Sequence, residues 1–218
     1  MDAVTLALGM LVTFLAAALT VPAGFGLATM LTPIMLLWLD PHLAIAAVAV
    51  VHAAHNGWKL VLLKNEVDVS AVKRYGWAMI LGAIIGAALS TSIDAKPLLI
   101  VVGAALIVLP ILSISERWTA FRLPEAEDRW GGFGSGFMGG LTGHQGALRA
   151  MFLQRRLSNK TAYAATAAIL ALVVDLTRLP IYLLSEGNEL MEYLPLVMGS
   201  VGSAILGVHL GKRWLYKW

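Results

Sequence analysis

The sequence predicts an all-α polytopic membrane protein made of two inverted repeats, each with a helical hairpin that is broken at glycine. The first observation is composition: 59% of the 218 residues are hydrophobic and only 13% are charged. Soluble domains carry about 25% charge, so most of this surface must face lipid. The second is length, because several apolar stretches approach the ~20 residues that a bilayer-spanning helix needs. The third is repetition, because the same order of apolar stretches and glycine breaks is found in both halves of the chain.

The apolar stretches predict two kinds of membrane segment. Five are expected to span the bilayer, at 43–63, 75–93, 98–114, 159–184 and 194–210. Two others, 6–39 and 130–154, are interrupted at glycine and are expected to form hairpins, either re-entrant or fully crossing. The polar stretches predict connectors at 64–74 and 186–192 and a solvated loop at 115–130.

The two halves of the chain repeat the same order of features. A shift of 119 residues places Gly24 on Gly143, Asp40 on Asn159, Asn56 on Asp175 and Lys59 on Arg178. The predicted organisation is a first membrane repeat at 1–97, a connecting transmembrane helix and polar loop at 98–129, and a second membrane repeat at 130–218. Such internal repeats with broken helices are typical of secondary transporters.

The distribution of lysine and arginine predicts the topology. These residues concentrate at 64–74, at 155–160 and at 212–217. Connectors rich in lysine and arginine face the cytoplasm, so the C-terminus is expected to be cytoplasmic and the acidic connector to lie outside. The first hairpin then opens outside and the second inside, which is why the repeats are predicted to be inverted.

Several classes of function are excluded or disfavoured. The chain has no cysteine, which excludes disulfides, thiolate metal sites and cysteine nucleophiles. No nucleotide-binding or hydrolase motif occurs, so neither an enzyme nor a cofactor is expected. The basic residues lie at the ends of apolar stretches, as in the orientation signal of a membrane protein, so nucleic acid is not an expected partner. Residues 3–20 lack the features of a cleaved signal peptide and are expected to stay in the mature protein.

The glycine breaks are the first candidate substrate site. The free N–H groups and the partial positive charge at the start of a half-helix attract anions. Arginine adds fixed bidentate donors for an oxyanion. The alternatives are that the glycines only permit packing and that the arginine extends to the membrane surface. The candidate residues at the breaks are Gly24, Phe25, Gly26, Gly143, His144, Gln145, Gly146 and Arg149.

Two helices carry further polar candidates. His52, His55, Asn56 and Lys59 lie on one stripe of one helix. A buried charge in a membrane helix costs on the order of 3 kcal/mol, so such residues usually face a cavity or a partner, although Lys59 could extend to the surface. Two histidines without carboxylate or thiolate neighbours are weak evidence for a metal, and none is expected.

Asp175 and Arg178 form the last candidate group. Their spacing allows an ion pair on one helix. The pair is either structural, or Arg178 holds substrate while Asp175 tunes it or relays a proton. The proton-relay candidates are His144, His52 and Asp175, since histidine titrates near neutral pH.

Three segments resemble one known family. The segment from Gly24 to Lys59, the segment 139–149 and the segment 174–179 are similar to the TauE/SafE family, also called the TSUP family. This resemblance implies export of sulfite or an organosulfonate across a bacterial inner membrane. Members more often carry a Gly-Ile-Gly-Gly-Gly run at the second break, where this chain has His144 and Gln145.

The residues predict a proton-linked secondary transporter of a small anion, and the resemblance implies that it exports sulfite or an organosulfonate. Its expected partners are that anion and the lipid bilayer of the bacterial inner membrane. The alternatives are an anion channel with the same site and a membrane assembly factor that recruits a partner protein. The oligomeric state stays open, with a homodimer among the options.

Overall fold

The protein is all-helical over the residues that its computed structural model describes, which are 3–114 and 128–217. We number the α-helices of these ranges α1 Ala3–Ala23, α2 Leu27–Met35, α3 Pro41–Leu63, α4 Val69–Ser92, α5 Ala95–Ile114, α6 Asp128–Thr142, α7 Gly146–Leu153, α8 Lys160–Leu190 and α9 Leu194–Leu215. Short 3-10 helices occupy Lys64–Glu66 and Met191–Tyr193. The predicted loop at 115–130 lies outside the described residues except for 128–130, which begin α6.

Five segments are long and apolar enough to cross a membrane by length and composition. They are Ala3–Ala23, Pro41–Glu66, Val69–Ser92, Ala95–Leu112 and Lys160–Leu215. The last of these contains both α8 and α9. The predicted fold class, an all-α polytopic membrane protein, is confirmed.

The second arm of each broken hairpin is a half-helix. The helix α2 has nine residues and α7 has eight, so at 1.5 Å per residue they extend roughly 14 and 12 Å. Neither length crosses a hydrocarbon core of about 30 Å. The helix α2 ends at Met35 and a turn follows, so the last residues of the predicted hairpin 6–39 are not helical. The helical conformation is disfavoured for Asp40 in any case, because Pro41 follows it.

Two predicted connectors were placed wrongly. The prediction ended the eighth helix at Leu184, but α8 continues through the acidic segment to Leu190. Gly187 alone does not end the helix, since a single glycine costs only about 1 kcal/mol there. The connector 64–74 is also shorter than predicted. Asp68 accepts a hydrogen bond from the amide of Ala71 at 2.8 Å and starts α4 at Val69.

Glycine lets α4 and α6 pack with their backbones in contact. Methyl groups added at Gly82 or Gly86 would overlap with the carbonyl oxygens of Phe133 and Phe137, respectively. Residue numbers rise together along the pair, and the two helices are therefore parallel. The pair α1 and α9 is parallel in the same way, with Gly207 against Phe14 and Gly211 further along both helices.

The helices α3 and α8 pack against each other in opposite directions. His52 lies beside Asp175, and Gly57, further along α3, lies beside Leu172, earlier in α8. Half of the buried polar and charged side chains of the described residues lie on these two helices or at the second break. The packing of α3 and α8 thus brings the polar residues of both halves together.

Local geometry is shared between residues 119 positions apart. Gly24 and Gly143 both have positive φ, 79° and 87°, a conformation that favours glycine. Their amides donate to the carbonyl four residues earlier at 2.9 and 3.0 Å. Asp40 and Asn159 both cap a helix by accepting from the second and third following amides.

Candidate functional site

A small cavity lies where the first break, α3 and α7 meet, and we call it the cationic cavity. It is lined by Thr20, Gly24, Phe25, Leu27, His52, His55, Asn56, Lys59 and Arg149. Its volume of about 10 Å³ is close to the roughly 10–15 Å³ that one water molecule requires on this measure. The cavity therefore combines the first break, the polar stripe of α3 and the arginine of α7, which the sequence singled out separately.

The two breaks touch each other at the edge of this cavity. Phe25, in the middle of the first break, packs against Gly146, which begins α7 rather than belonging to the break itself. A methyl group added at Gly146 would lie 2.7 Å from the Phe25 Cβ atom. Gly146 thus makes room for the phenyl ring, and Phe25 forms part of the cavity wall.

Lys59 and Arg149 place two positive charges on the same cavity. Their side chains are 1% and 3% exposed, so neither extends to the membrane surface. Among the described residues, no carboxylate lies within 4.0 Å of either cation. Arg149 donates to the side-chain oxygen of Gln145 at 3.1 Å, and its Nε atom has no protein partner in the described ranges. Buried charge without a partner is strongly unfavourable, so this cavity is suited to an anion.

His52 connects the cationic cavity to Asp175. Its Nδ1 atom lies 2.7 Å from a carboxylate oxygen of Asp175. Asn56 donates to the backbone oxygen of His52 at 2.9 Å, which holds the stripe in place. His55, which also lines the cavity, has its Nε2 atom 3.4 Å from the carbonyl oxygen of Ala17 in α1. His52 therefore links the cavity wall to the carboxylate on α8.

Arg178 is held entirely by protein groups. It donates from two nitrogens to one oxygen of Asp175 at 2.8 and 3.1 Å, and from the third to the carbonyl of Gly139 at 2.7 Å. Its guanidinium also lies 5.7 Å from the ring centroid of Tyr182, whose hydroxyl donates to Gly140. Of the two interpretations of Asp175 and Arg178 that the sequence allows, this geometry is that of an internal ion pair. Arg178 does not line the cavity.

The residues of the second break, 143–145, are not part of the lining of the cationic cavity. The Arg178 guanidinium lies close to the backbone at Gly143. A methyl group added at Gly143 would lie 3.2 Å from one of its nitrogens. His144 and Gln145 are buried, and both His144 ring nitrogens and the Gln145 Nε2 atom lack partners within the described part of the chain. Buried polar groups left in this state cost about 1–3 kcal/mol each. They do not line the cationic cavity, although the sequence grouped them with Arg149.

Three contributors to the site were not singled out from the sequence. Thr20 and Leu27 line the cavity, and Ser135 donates to the backbone oxygen of Gln145 at 2.9 Å. Thr20 stands in an apolar stretch and donates to the carbonyl of Ala16 in its own helix at 2.8 Å. Its only sequence signal is that it precedes Gly24 by one helical turn. No group of three His, Asp or Glu in the described ranges is placed to hold a metal ion.

Comparison with known proteins gives one match. The family model described as Sulfite exporter TauE/SafE matches residues 9–217. This range covers nearly the whole chain and includes every residue that lines the cationic cavity. No curated protein sequence and no solved structure matches the chain.

Proposed function

The chain belongs to the TauE/SafE sulfite exporter family, and from this premise we propose that it is a secondary transporter that exports a small oxyanion. The substrate is sulfite or an organosulfonate, and the membrane is the bacterial inner membrane, with the C-terminus in the cytoplasm. The family is one of transporters, and the chain is a multi-pass membrane protein. We assign it no enzymatic activity.

One observation carries the proposal: Lys59 and Arg149 are buried on one cavity without a carboxylate partner among the described residues. An oxyanion there compensates both charges in a medium of low dielectric constant, where the attraction is strong. Arg149 lies in the first turn of α7, so the partial positive charge of that helix end adds to the field. Its guanidinium offers the planar donor geometry that suits oxygen anions.

Inverted repeats are the arrangement that we propose for alternating access. The antiparallel packing of α3 on α8 supports it, because these are the helices that the 119-residue shift relates. The parallel pairs α1–α9 and α4–α6 support it too, since the same shift exchanges one pair for the other. The cationic cavity is smaller than a sulfite ion, so we expect it to widen when one repeat rocks against the other.

We propose that export is linked to protons through His52. This residue lines the cavity and contacts Asp175 at 2.7 Å, so a change in its protonation alters the charge that the anion meets. Replacement of His52 by Gln should leave anion binding in place and remove the acceleration of flux by a pH gradient. Flux from proteoliposomes with and without that gradient measures the effect. Unchanged coupling in this variant would remove His52 from the proton path.

The alternatives make different predictions. An anion channel with the same site passes current that does not saturate at low substrate and needs no proton gradient. A partner-recruiting protein binds none of the anions, and the polar loop that it would use lies largely outside the described residues. Saturable, gradient-dependent flux in proteoliposomes separates the transporter from both.

The binding test is a thermal-shift screen of the detergent-purified protein. The panel is sulfite, sulfate, thiosulfate, taurine, isethionate, sulfoacetate and acetate. A ligand that binds only the folded state raises the melting temperature by mass action. We expect a sulfur oxyanion to raise it for the parent protein and not for Arg149→Ala. The matched control is Arg213→Ala, which removes an exposed arginine near the end of α9 and should keep the shift. A shift retained in Arg149→Ala would place the site elsewhere.

A further inference from the structure

A second, larger cavity opens beside the cationic cavity, and we call it the vestibule. Its volume is about 380 Å³, and its lining includes Pro22, Ala23, Gln154, Ser158, Lys160 and Tyr163. It lies against the connector between α7 and α8, which carries Arg155, Arg156 and Lys160. We call this side of the molecule the basic face. The vestibule is large enough for a small organic anion, and the polar residues 154, 158 and 160 give it hydrogen-bonding groups and positive charge.

The vestibule and the cationic cavity are separated by the backbone of Gly24 and the aromatic ring of Tyr163. Ala23 lines the vestibule and is exposed, whereas Gly24, the next residue, is buried and lines the cationic cavity. The Tyr163 ring lies directly on Gly24, so that a methyl group added there would overlap with the ring. Tyr163 also lines the vestibule and is only 6% exposed. The ring and the backbone of Gly24 therefore separate the two cavities at this point.

We propose that the vestibule is the entrance through which the anion reaches the cationic cavity from the basic face, and that the Tyr163 ring is its barrier. The inference rests on the proposed transport function for its cargo. Gly24 has no side chain and lies at the start of the irregular segment, so the ring contacts backbone rather than an interlocking side chain. A rotation of the ring away from Gly24 joins the two spaces.

The opposite half of the molecule lacks this barrier. The 119-residue shift places Tyr163 on Ala44 and Gly24 on Gly143. Within 4 Å, a methyl group added at Gly143 would meet only Arg178 among the described residues. A ring of this kind therefore covers Gly24 and not Gly143. In this proposal Tyr163 controls access from the basic face in particular.

Cysteine accessibility tests the entrance directly, because the chain contains no cysteine. Thr20→Cys reports on the cationic cavity and Ser158→Cys on the vestibule. The reagent is 2-sulfonatoethyl methanethiosulfonate, an impermeant sulfonate anion, applied to membrane vesicles with the basic face outward. Labelling rates are read by mass shift in four backgrounds: the parent chain, Tyr163→Phe, Tyr163→Ala and Leu157→Ala.

We expect the thiol of Ser158→Cys to be labelled rapidly in every background. The thiol of Thr20→Cys should be labelled at least tenfold faster with Tyr163→Ala than in the parent chain, and at about the parent rate with Tyr163→Phe, which keeps the ring. Leu157→Ala enlarges the vestibule without opening its wall and should also leave the rate for Thr20→Cys unchanged. Tyr163→Leu replaces Tyr163→Ala if the smaller side chain lowers the yield of folded protein.

An unchanged labelling rate for Thr20→Cys in the ring-deleted background, with Ser158→Cys labelled normally, would overturn the proposal. An equal increase with Leu157→Ala would overturn it too, because it would indicate general loosening. Labelling requires no transport. If the labelling pattern is as expected but no anion binds or is transported, the proposed transport function is wrong and the proposed entrance stands. If anions bind and the pattern is absent, the entrance is the part that fails.

Discussion

The Asn56–Lys59 pair on α3 and the Asp175–Arg178 pair on α8 occupy positions related by the 119-residue shift, and only the second pair contains a carboxylate. Asn56 and Lys59 correspond to Asp175 and Arg178 under the 119-residue shift. On α8 the carboxylate of Asp175 pairs with the cation, and Arg178 is not part of the lining of the cationic cavity. On α3 an amide stands where the carboxylate would be, and the cation lines a cavity. We propose that this difference between an amide and a carboxylate leaves the cation of the first half free to pair with the substrate anion.

The proposal accounts for two buried cations, Lys59 and Arg149, that have no acidic partner among the described residues. The desolvation penalty of an isolated buried charge is several kcal/mol, which Arg178 offsets with Asp175, Gly139 and the ring of Tyr182. Lys59 and Arg149 have no comparable set within the described residues. We infer that the substrate oxyanion compensates the buried positive charges of the first half, as Asp175 compensates the charge of Arg178 in the second.

The largest expected effect is the loss of the α8 ion pair. Replacement of Asp175 by Asn leaves Arg178 buried and unpaired, which should lower the free energy of unfolding by about 3–5 kcal/mol. A marked fall in the melting temperature of the purified protein measures this. The matched control is Asn56→Ala at the related position, which removes a hydrogen bond to His52 and should cost about 1 kcal/mol. Equal falls in both variants would contradict the difference between the halves.

The reciprocal substitution should give the first half an internal ion pair like the one in the second half. Replacement of Asn56 by Asp supplies an internal carboxylate at the spacing that pairs with Arg178 on α8. We expect it to pair with Lys59 and weaken binding of the substrate anion at least tenfold, which is about 1.4 kcal/mol. Titration of sulfite against the purified variant measures this loss, and Asn188→Asp, outside the cavity, is the control. Affinity equal to that of the parent protein would show that Lys59 is not the binding cation.

Removal of the α3 cation should separate binding from stability. The Lys59→Met variant loses a buried charge that has no carboxylate partner in the described ranges, so its melting temperature without ligand should be unchanged or higher. Its stabilisation by the anion should disappear. The comparison variant, Arg178→Met, removes the arginine partner of the buried Asp175 carboxylate and should be destabilised. A fall in stability for Lys59→Met as large as that for Arg178→Met would mean that Lys59 has a structural partner.

The smallest effect concerns the middle residues of the two breaks, Phe25 and His144. Phe25 lines the cavity, and His144 does not. Shortening of the phenyl ring in Phe25→Leu should favour larger organosulfonates over sulfite by about threefold, or about 0.7 kcal/mol. Competition between isethionate and sulfite in the thermal-shift assay measures the ratio. His144→Leu should leave that ratio unchanged. A larger change in this variant than in Phe25→Leu would place the size limit at the second break.

Local signals in the sequence predicted much of the fold. The glycines of the breaks and the caps at Asp40 and Asn159 act on neighbouring backbone, so the half-helices and the starts of α3 and α8 could be predicted. The end of α8 could not, because a single glycine in a polar segment does not show whether the helix stops. The spacing of His52, Asn56 and Lys59 likewise predicted one polar face, and the structure places all three on the cavity.

The rest of the site depends on contacts between distant residues. His52 and Asp175 are 123 residues apart, and no periodicity predicts that pairing. The sequence also could not show that Arg178 turns away from the cavity, since the carbonyl of Gly139 that binds it belongs to another helix. Tyr163 gave no signal, because an aromatic residue near a helix start has many ordinary roles.

The most direct test of the central claim is the number of anions bound per chain. Equilibrium dialysis of radiolabelled sulfite under nitrogen, against the purified protein, measures it. We predict one anion per chain for the parent protein, because the related position in the second half is filled by Asp175. We predict none for Lys59→Met or Arg149→Ala at the same concentration. Two anions per chain, or one anion retained by both variants, would contradict the claim.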